Sequence, residues 1–257
     1  MTVPGGDTPL AGRVAIVTGG SRGLGREMAT AFAAAGADVV IASRKLDSCQ
    51  ALAAELEAAH GHRCLPYAFH VGHWDELDGL VDAAYDAFGQ VDVLVNNAGM
   101  SPLYPSLDGI GEDLFDKVIG VNLKGPFRLS ALVGARMKAA GRGSIINISS
   151  IAAVRPTPRE LPYAAAKSGL NVITVGFAQE LGPEVRVNCI MAGPFLTDIS
   201  AAWDMEHFNG TASHFALRRG GRADEIVGAA LYLASDASSF TTGTVIAVDG
   251  GASIPVL

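Results

Sequence analysis

Short apolar runs rich in β-branched residues alternate along the chain with longer stretches rich in alanine. The short runs have the length of buried strands, and the longer stretches have the apolar spacing of helices. The predicted strands are residues 14–18, 38–43, 64–69, 91–97, 144–149, 185–190 and 244–248. The predicted helices lie near residues 23–35, 45–60, 74–88, 111–140, 160–181 and 223–234. Strands joined by crossover helices form a parallel sheet covered on both faces, so we expect a doubly wound α/β fold.

We find no repeat and no linker that would divide this pattern, so one domain over residues 1–257 is expected. The least regular stretch, residues 192–221, would lie beyond the carboxyl ends of the strands, where ligands bind in such sheets. Its aromatic residues Trp203, Phe208 and Phe215 are compatible with the core, a subunit contact or a substrate lid. We favour a lid, because its closure would exclude water from the reaction.

Composition narrows the classes of partner. The net charge of −7 argues against nucleic acid and anionic membranes, which are usually bound by basic surfaces. The three cysteines are scattered and form no CxxC pair, which is typical of reduced thiols. The chain has neither a signal-peptide pattern nor an apolar run of about 18 residues. We therefore expect a cytoplasmic protein with a small-molecule substrate.

The first predicted strand leads directly into the glycine-rich segment TGGSRGLG, residues 18–25. Glycines at a strand-to-helix turn permit positive φ and let a pyrophosphate approach the free N–H groups of the helix. This context favours dinucleotide binding over a plain tight turn. The segment also fits the G-x-S-x-G nucleophile elbow around Ser21. That alternative is disfavoured for two reasons. A nucleophile elbow needs an oxyanion loop from an earlier strand, but no strand is predicted before residues 14–18, and no histidine directly follows a late strand.

The residues after the second strand indicate which dinucleotide is bound. An acidic residue there would hold the free ribose hydroxyls of NAD, whereas arginine suits the 2′-phosphate of NADP. This chain has Ser43 and Arg44 at that place and Arg22 within the glycine segment. Two arginines directed at one phosphate favour NADP(H) over NAD(H).

Tyr163 and Lys167 lie four positions apart in a predicted helix and would share one of its faces. A cation near a phenol stabilises the phenolate and lowers its pKa, which suits a general acid/base. Ser150 ends the fifth predicted strand, where its hydroxyl could donate to a developing alkoxide. Alternatively, Tyr163 and Lys167 belong to a helix surface and Ser150 is a helix cap.

Together these segments resemble the short-chain dehydrogenase/reductase family over roughly residues 10–253, in its NADP-preferring branch of about 250 residues. The resemblance rests on the ordered motifs TGGSRGLG (18–25), NNAG (96–99), VNLKG (121–125), SS before YAAAK (149–167) and TGTVIAVDGG (242–251). It implies a single-domain Rossmann fold and hydride transfer between NADP(H) and a carbonyl or secondary alcohol. In that role Tyr163 would exchange the proton and Ser150 would polarise the substrate oxygen. Lys167 would bind the nicotinamide ribose and lower the tyrosine pKa, and Asn122 would hold a water in a proton relay.

The resemblance also implies a set of cofactor contacts, which includes Tyr163 and Lys167. The other members are Gly19, Ser21, Arg22, Gly23, Leu24, Gly25, Ser43, Arg44, His70, Val71, Asn97, Ala98, Gly99, Phe195 and Thr197. For Asn96 and Asn97 a role as turn formers after the fourth strand is an equal alternative.

Two positions depart from the family pattern. His70 replaces an aspartate that reads the adenine amino group. The neutral ring could still accept that hydrogen bond, and its protonation would make cofactor affinity depend on pH. Ala192 and Gly193 replace the usual Pro-Gly, which makes the contacts of Phe195 and Thr197 less secure than the catalytic residues.

Several alternatives remain open at this stage. His60, His62, Cys64, His70 and His73 suggest a metal, but their spacing matches no common zinc pattern, so no metal is expected. A 3-oxoacyl thioester reductase and a general alcohol or sugar dehydrogenase fit the same motifs, and a non-catalytic NADP-binding sensor is the rival outside enzymes. Relatives pair their long helices, so we expect a homotetramer through the helices at 111–140 and 160–181.

Overall fold

Seven parallel strands form the main sheet of this computed structural model, which describes residues 8–198, 200 and 204–254. The strands are β1 Val14–Thr18, β2 Asp38–Ser43, β3 Cys64–Ala68, β4 Val93–Asn96, β5 Gly143–Ser150, β6 Val185–Ala192 and β9 Val245–Val248. Their order in the sheet is β3-β2-β1-β4-β5-β6-β9, and each neighbouring pair is parallel. The predicted doubly wound, seven-stranded fold is confirmed.

Helices cover both faces of this sheet. They are α1 Gly23–Ala34, α2 Leu46–His60, α3 Glu76–Phe88, α4 Glu112–Ile119, α5 Gly125–Ala140, α6 Leu161–Leu181, α7 Met205–Ala212 and α8 Val227–Ala234. A separate pair of two-residue strands, β7 Phe195–Leu196 and β8 Gly221–Arg222, lies outside the main sheet. No helix in the described ranges is long and apolar enough to cross a membrane.

The sheet is buried on both faces, which explains why its strands read as continuous apolar runs. Along β1, Ala15 and Val17 join one hydrophobic cluster, while Val14 and Ile16 join the other. Successive side chains of a strand point to opposite faces, so a strand in this position needs apolar residues at every place. All five residues of β1 are buried.

The strand order creates a crevice at the carboxyl ends of β1 and β4. From β1 the chain proceeds to β2 and β3 on one side, then crosses to β4 on the other side of β1. Helices leave the sheet in opposite directions at this switch point, and the gap between them is where open α/β sheets bind ligands. Each segment that was predicted to carry the chemistry follows a strand at this edge or packs beside it.

The predicted helix over residues 111–140 is wrong in one respect: it is interrupted by a π-helical segment, Gly120–Lys124. Within this segment the Asn122 side chain donates to the carbonyl oxygens of Val118, at 2.9 Å, and Met100, at 2.8 Å. π-Helical turns inside α-helices are frequent at functional sites. Apolar periodicity does not detect the insertion, because a single wider turn barely alters the spacing of the flanking residues.

The stretch of residues 192–221 is more regular than predicted, since it contains β7, α7 and the first residue of β8. Helix α7 begins after Asp204, whose carboxylate accepts hydrogen bonds from the backbone N–H groups of Glu206 and His207, both at 3.1 Å. This is the usual N-cap arrangement. Of the three aromatic residues singled out for a lid, Trp203 lies outside the described residues.

Candidate active site

The glycine segment forms a tight turn between β1 and α1. Gly19 and Gly23 have φ of 63° and 52°, values that L-residues with side chains rarely adopt. A Cβ at Gly25 would lie only 2.2 Å from the carbonyl oxygen of Gly19 and 2.5 Å from the side-chain nitrogen of Asn97. The turn and the first turn of α1 are therefore packed backbone to backbone, and only glycine fits at position 25.

The amino end of α1 fits an anionic group. Its N-cap is Arg22, whose side chain makes no capping hydrogen bond. The first N–H groups of the helix have no partners within the helix, and the helix dipole attracts negative charge to this end. An uncapped helix start beside a glycine turn suits a pyrophosphate, so the donors here match the predicted dinucleotide.

Asn97 connects this turn to the end of β4. Its side-chain nitrogen donates to the carbonyl oxygens of Thr18 (2.9 Å) and Gly19 (3.2 Å). The Thr18 hydroxyl oxygen in turn accepts from the backbone N–H groups of Asn97 and Ala98. Asn96, in contrast, is a core residue whose amide bonds to Ser130 and Asn147. The Asn97 side chain thus holds the glycine turn after β1, a role that neither of the two predicted alternatives included.

At the end of β2 the side chains form a short polar chain. The Ser21 and Ser43 hydroxyl oxygens lie 2.9 Å apart, which ties the glycine turn to β2. This contact takes the Ser21 hydroxyl away from any histidine and further disfavours the nucleophile elbow. Arg22 and Arg44 are exposed, and neither forms an ion pair within the described parts of the chain. Both guanidinium groups are free to bind an external anion.

After β3 the chain runs through His70 and Val71. The half-buried His70 ring stacks on His73, with ring centroids 4.2 Å apart. Its Nδ1 atom accepts a hydrogen bond from the backbone N–H of Gly72 at 3.2 Å. The ring nitrogen that was expected to accept from an adenine amino group therefore already accepts from Gly72 N. Val71 is buried, and its carbonyl oxygen lies 2.1 Å from the position that a Cβ at Gly125 would occupy.

Ser150 and Tyr163 come together at the carboxyl end of β5. Ser150 ends the strand and also caps the short 3₁₀ helix Ile151–Ala153, since its hydroxyl oxygen accepts from Ala152 N at 3.2 Å. Tyr163 lies in the first turn of α6, close enough to Ser150 for that side chain to lower the pKa of its hydroxyl. The helix-cap alternative for Ser150 is thus correct, and it is compatible with the contact to Tyr163.

The pKa of Tyr163 is shifted in the direction opposite to the prediction. Burial raises it, the neighbouring Ser150 side chain partly counteracts that effect, and the negative charge of Glu160 raises it further. Lys167 is not among the groups that determine this shift. In the protein alone, desolvation of the phenolate thus outweighs any help from the lysine.

Lys167 is 3% exposed and lies on the same side of α6 as Tyr163. Its Nζ is 5.6 Å from the centre of the Tyr163 ring and donates to the carbonyl oxygen of Ile148 at 2.9 Å. No carboxylate pairs with it among the residues that the structure describes, as the sequence indicated. Burial lowers the pKa of Lys167 to about 8, because an ammonium group is poorly stabilised away from water.

Asn122 and Gly99 lie beside this lysine. A Cβ at Gly99 would be 3.0 Å from Asn122 Oδ1 and 3.6 Å from Lys167 Nζ. Asn122 is fully buried, and its Oδ1 accepts from Met100 N at 3.2 Å. The NNAG segment, the π-helical segment and α6 therefore meet at one point, which joins the predicted catalytic residues to the end of β4.

Comparison with known proteins agrees with this geometry. A family model described as "Enoyl-(Acyl carrier protein) reductase" matches residues 19–253. A protein named short chain dehydrogenase/reductase astE, from Aspergillus oryzae, is 39% identical over 251 residues, covering 95% of this chain and 96% of that protein. The chain belongs to the short-chain dehydrogenase/reductase family. It is therefore an oxidoreductase of alcohols and ketones that uses a nicotinamide cofactor.

Two further members of the short-chain dehydrogenase/reductase family illustrate its range. The 3-oxoacyl-(acyl-carrier-protein) reductase FabG of Thermotoga maritima is 35% identical to this chain, over 94% of it and 98% of the relative. The crystal structure of an NADPH-dependent 3-quinuclidinone reductase from Rhodotorula rubra superposes with a TM-score of 0.91 at 28% identity. That match covers 97% of this chain and 94% of the other.

Three other residues that the short-chain dehydrogenase/reductase resemblance assigns to the cofactor differ in how close they lie to the glycine turn and in how deeply they are buried. Thr197 lies close to the glycine turn, because a Cβ at Gly23 would be 3.6 Å from the Thr197 Cβ. The Phe195 side chain packs in the hydrophobic core, so any contact it makes with a ligand comes from its backbone. Leu24 is partly buried against the same cluster. Among the described residues, no three histidine, cysteine or acidic side chains gather in a way that could hold a metal ion.

Sequence reasoning missed Tyr104, whose hydroxyl binds the backbone at the start of α6. Its hydroxyl donates to the carbonyl oxygen of Pro158 at 2.7 Å and accepts from Leu161 N at 2.9 Å. It thereby satisfies one of the free N–H groups at the amino end of α6, two residues before Tyr163. No local signal could have revealed it, since its partners lie more than 50 positions along the chain.

Proposed function

We propose that this enzyme transfers hydride between NADP(H) and a ketone or secondary alcohol, with Ser150, Tyr163, Lys167 and Asn122 as its catalytic residues. One observation carries the proposal: Ser150 and Tyr163 lie together beside a buried lysine, at the same sheet edge as the uncapped amino end of α1. A nucleotide held at α1 would extend along this edge toward Tyr163.

The protein's part in the reaction is to manage a proton at the substrate oxygen. Bound NADPH supplies the hydride that forms the new C–H bond at the carbonyl carbon. Ser150 donates a hydrogen bond to the carbonyl oxygen as negative charge develops there. The Tyr163 hydroxyl gives its proton to that oxygen, which completes the alcohol, and takes a proton back in the oxidation direction.

Lys167 and Asn122 support this transfer. We infer that Lys167 binds the ribose hydroxyls next to the nicotinamide and stabilises the Tyr163 phenolate once the site is filled. A positively charged nicotinamide would act on the phenol in the same direction, against the effect of burial. Asn122 would hold the end of the proton path that lies away from the substrate. Its side chain is fixed there by hydrogen bonds with the backbone N–H and carbonyl oxygen of Met100.

The catalytic proposal is tested with Tyr163→Phe. This change removes the proton donor but keeps the ring, so kcat for ketone reduction should fall by about 10²- to 10⁴-fold. NADPH affinity, measured by fluorescence titration, should fall by no more than about tenfold, since the phenol contributes at most one hydrogen bond to the nucleotide. Tyr85→Phe on α3 is the control and should leave kcat unchanged. A Tyr163→Phe enzyme with nearly full kcat would remove Tyr163 from the mechanism.

The preference for NADP(H) is supported by Arg22 and Arg44, two exposed guanidinium groups without ion pairs in the described structure. Ser43 and the backbone around Ala98 would complete the adenosine side of the site. Replacing Arg44 by Ala should reduce the ratio of kcat/KM for NADPH over NADH by about tenfold or more, through loss of a charge-assisted hydrogen bond. Arg63→Ala, at the opposite edge of the sheet, is the control. An unchanged ratio would refute the assignment.

Two relatives of this chain act on different classes of substrate. The resemblance to a 3-oxoacyl-(acyl-carrier-protein) reductase supports a thioester substrate, and the resemblance to the quinuclidinone reductase supports a small ketone. We favour a free ketone or secondary alcohol. A panel of ketones, secondary alcohols and 3-oxoacyl thioesters, assayed with NADPH and NADH, tests this choice. Turnover of the thioesters alone would favour the other assignment.

We further propose that residues 192–221 cover the substrate and that four chains assemble into a homotetramer. The lid is supported by Thr197, which lies near the glycine turn, and by the exposed helix α7 beyond it. The assembly is supported by apolar side chains on the outer faces of α4, α5 and α6. Those exposed by more than two fifths are Phe115, Phe127, Val172 and Val175.

A further inference from the structure

The imidazole of His70 offers a donor rather than an acceptor. Its Nδ1 accepts from Gly72 N, so in the neutral ring the proton must reside on Nε2. Within the described residues Nε2 has no hydrogen-bond partner. A half-buried ring in this tautomer presents one unused N–H group.

The ring stands where the nucleotide base is expected under the proposed function. His70 lies two residues beyond the end of β3, and Phe69 N donates to the carbonyl oxygen of Ser43 at the end of β2. Arg44 is near enough for its charge to act on the imidazole. A ribose held at the end of β2 would place its base toward the neighbouring strand β3, and therefore beside His70.

The orientation of the ring is held from several sides. The Glu76 carboxylate accepts from His70 N and bonds to His73 Nδ1, both at 2.7 Å. The His73 ring, fixed in this way, stacks on His70. The bond that Gly72 N donates to His70 Nδ1 holds the ring from a third side.

The surrounding groups keep the ring neutral. Burial comes first, and the positive charges of His73, Arg44 and Lys117 also lower the pKa of His70, while Glu76 acts in the opposite direction. Protonation of Nδ1 would also set two N–H groups against each other, since Gly72 N already donates to that atom. The tautomer with the proton on Nε2 is therefore the stable form at neutral pH.

We propose that His70 is a specificity-determining residue that donates a hydrogen bond from Nε2 to an acceptor on the six-membered edge of the purine base. This inference rests on the proposed NADP(H) function. Suitable acceptors are N1 of adenine and O6 of hypoxanthine, whereas the 6-amino group of adenine is itself a donor. The site should therefore tolerate a hypoxanthine cofactor, which an acceptor at this position would reject.

The test compares the dissociation constants of NADPH and reduced nicotinamide hypoxanthine dinucleotide phosphate, measured by calorimetry at neutral pH. Wild-type protein should bind the two forms within about threefold of each other, because each offers the donor an acceptor. His70→Asp can keep the bond from Gly72 N in an Asx turn and turn its second oxygen to the base. That variant should bind the hypoxanthine form about tenfold or more weakly than NADPH, because a carboxylate oxygen opposite position 6 then faces O6 in place of the amino group.

Two further variants complete the comparison. His60→Asp makes the same change at the end of α2, which leads to the opposite edge of the sheet, and should keep the wild-type ratio. His70→Gln has both a donor and an acceptor and should bind both forms within about threefold, so it tests the idea even if His70→Asp is unstable.

Three results would overturn the inference. Wild-type protein that binds NADPH at least tenfold more tightly than the hypoxanthine form would show that residue 70 or another group reads the amino group. An unchanged ratio in folded His70→Asp protein would show that His70 does not face the base. Wild-type protein that binds neither form would remove the proposed function as well, which separates that failure from the other two.

Discussion

At the scale of single residues, Glu160 acts on Tyr163 from three positions earlier in the chain. Glu160 is the N-cap of α6, and its negative charge raises the pKa of Tyr163 after the larger effect of burial. No acidic residue lies at helical spacing from Lys167 in a position to pair with it. The carboxylate that matters lies on the other side of the tyrosine, at the turn into the helix.

Replacing Glu160 by Gln should make Tyr163 a stronger acid. Removal of a neighbouring negative charge favours the phenolate, so the pKa of Tyr163 should fall. Under the proposed mechanism the Tyr163 phenolate is the base in alcohol oxidation, so the pH at which kcat/KM rises should move lower. The measurement is a pH profile of kcat/KM for a secondary alcohol.

Glu180→Gln provides the control for this prediction, because Glu180 is exposed near the far end of the same helix. Its pH profile should match that of the wild type. A Glu160→Gln profile that stays in place, or moves to higher pH, would contradict the electrostatic role of Glu160.

The NNAG motif does not by itself predict what each of its two asparagines does. The NNAG motif was predicted to contact nucleotide or to form a turn, but its two asparagines have separate tasks. Asn97 holds the glycine turn, and Asn96 joins a polar network between β4, β5 and α5. Their neighbours Thr18, Ser130 and Asn147 are distant in sequence, so no local pattern distinguishes the two roles.

At the scale of elements, the contact between the glycine turn and α1 depends on position 25. Gly25→Ala would place a methyl group 2.2 Å from the Gly19 carbonyl oxygen, so turn and helix would have to separate. We expect a loss of about 1–3 kcal/mol in the free energy of unfolding. We also expect NADPH binding to weaken by about tenfold or more, because the N–H groups at the helix start would be displaced. Thermal melts and fluorescence titration measure the two effects.

Gly228→Ala is the matched control for this element. Gly228 lies in α8 with no atom within 4 Å of its Cβ position, so a methyl group there meets no obstacle. Alanine should stabilise that helix by about 0.5–1 kcal/mol and leave NADPH affinity unchanged. Equal effects of the two substitutions on binding would refute the packing argument for Gly25.

The elements themselves were largely predictable, for a physical reason. Parallel strands buried on both faces need uninterrupted apolar runs, and these stand out between alanine-rich helices. Strand β1 has the predicted bounds, Val14–Thr18, whereas β4 is shorter than predicted at both ends. The π-helical segment escaped prediction, because it is stabilised by contacts of Asn122 with Met100, which belongs to another loop.

At the scale of the whole molecule, the outer faces of α4, α5 and α6 carry several exposed apolar side chains. An open cavity of about 630 Å³ between α4 and α6 is bordered by Leu107, Ile110, Phe115, Leu161 and Pro162, among others. Contiguous apolar surface of this kind usually marks an interaction site. This surface agrees with the proposed homotetramer.

Val172→Glu tests that assembly. Val172 is 71% exposed on α6, and a carboxylate there would be buried without a partner in a helix-to-helix interface. Light scattering should give a wild-type mass near four times 26.5 kDa and a smaller mass for the variant. Leu46→Glu, on the outer surface of α2, should leave the mass unchanged. A wild-type mass near 26.5 kDa would refute the tetramer.

The sequence by itself determined the alternation of strands and helices, the glycine turn and the spacing of Tyr163 from Lys167. These depend on neighbouring residues and on the period of the apolar pattern, which the chain carries locally. Only the tertiary structure decided the direction of the Tyr163 pKa shift and the tautomer of His70. Burial and Glu160 set the first, and a backbone N–H two residues away, reached through the local fold of the loop, sets the second. Desolvation and hydrogen-bond direction arise only when the chain has folded and the surrounding atoms are in place.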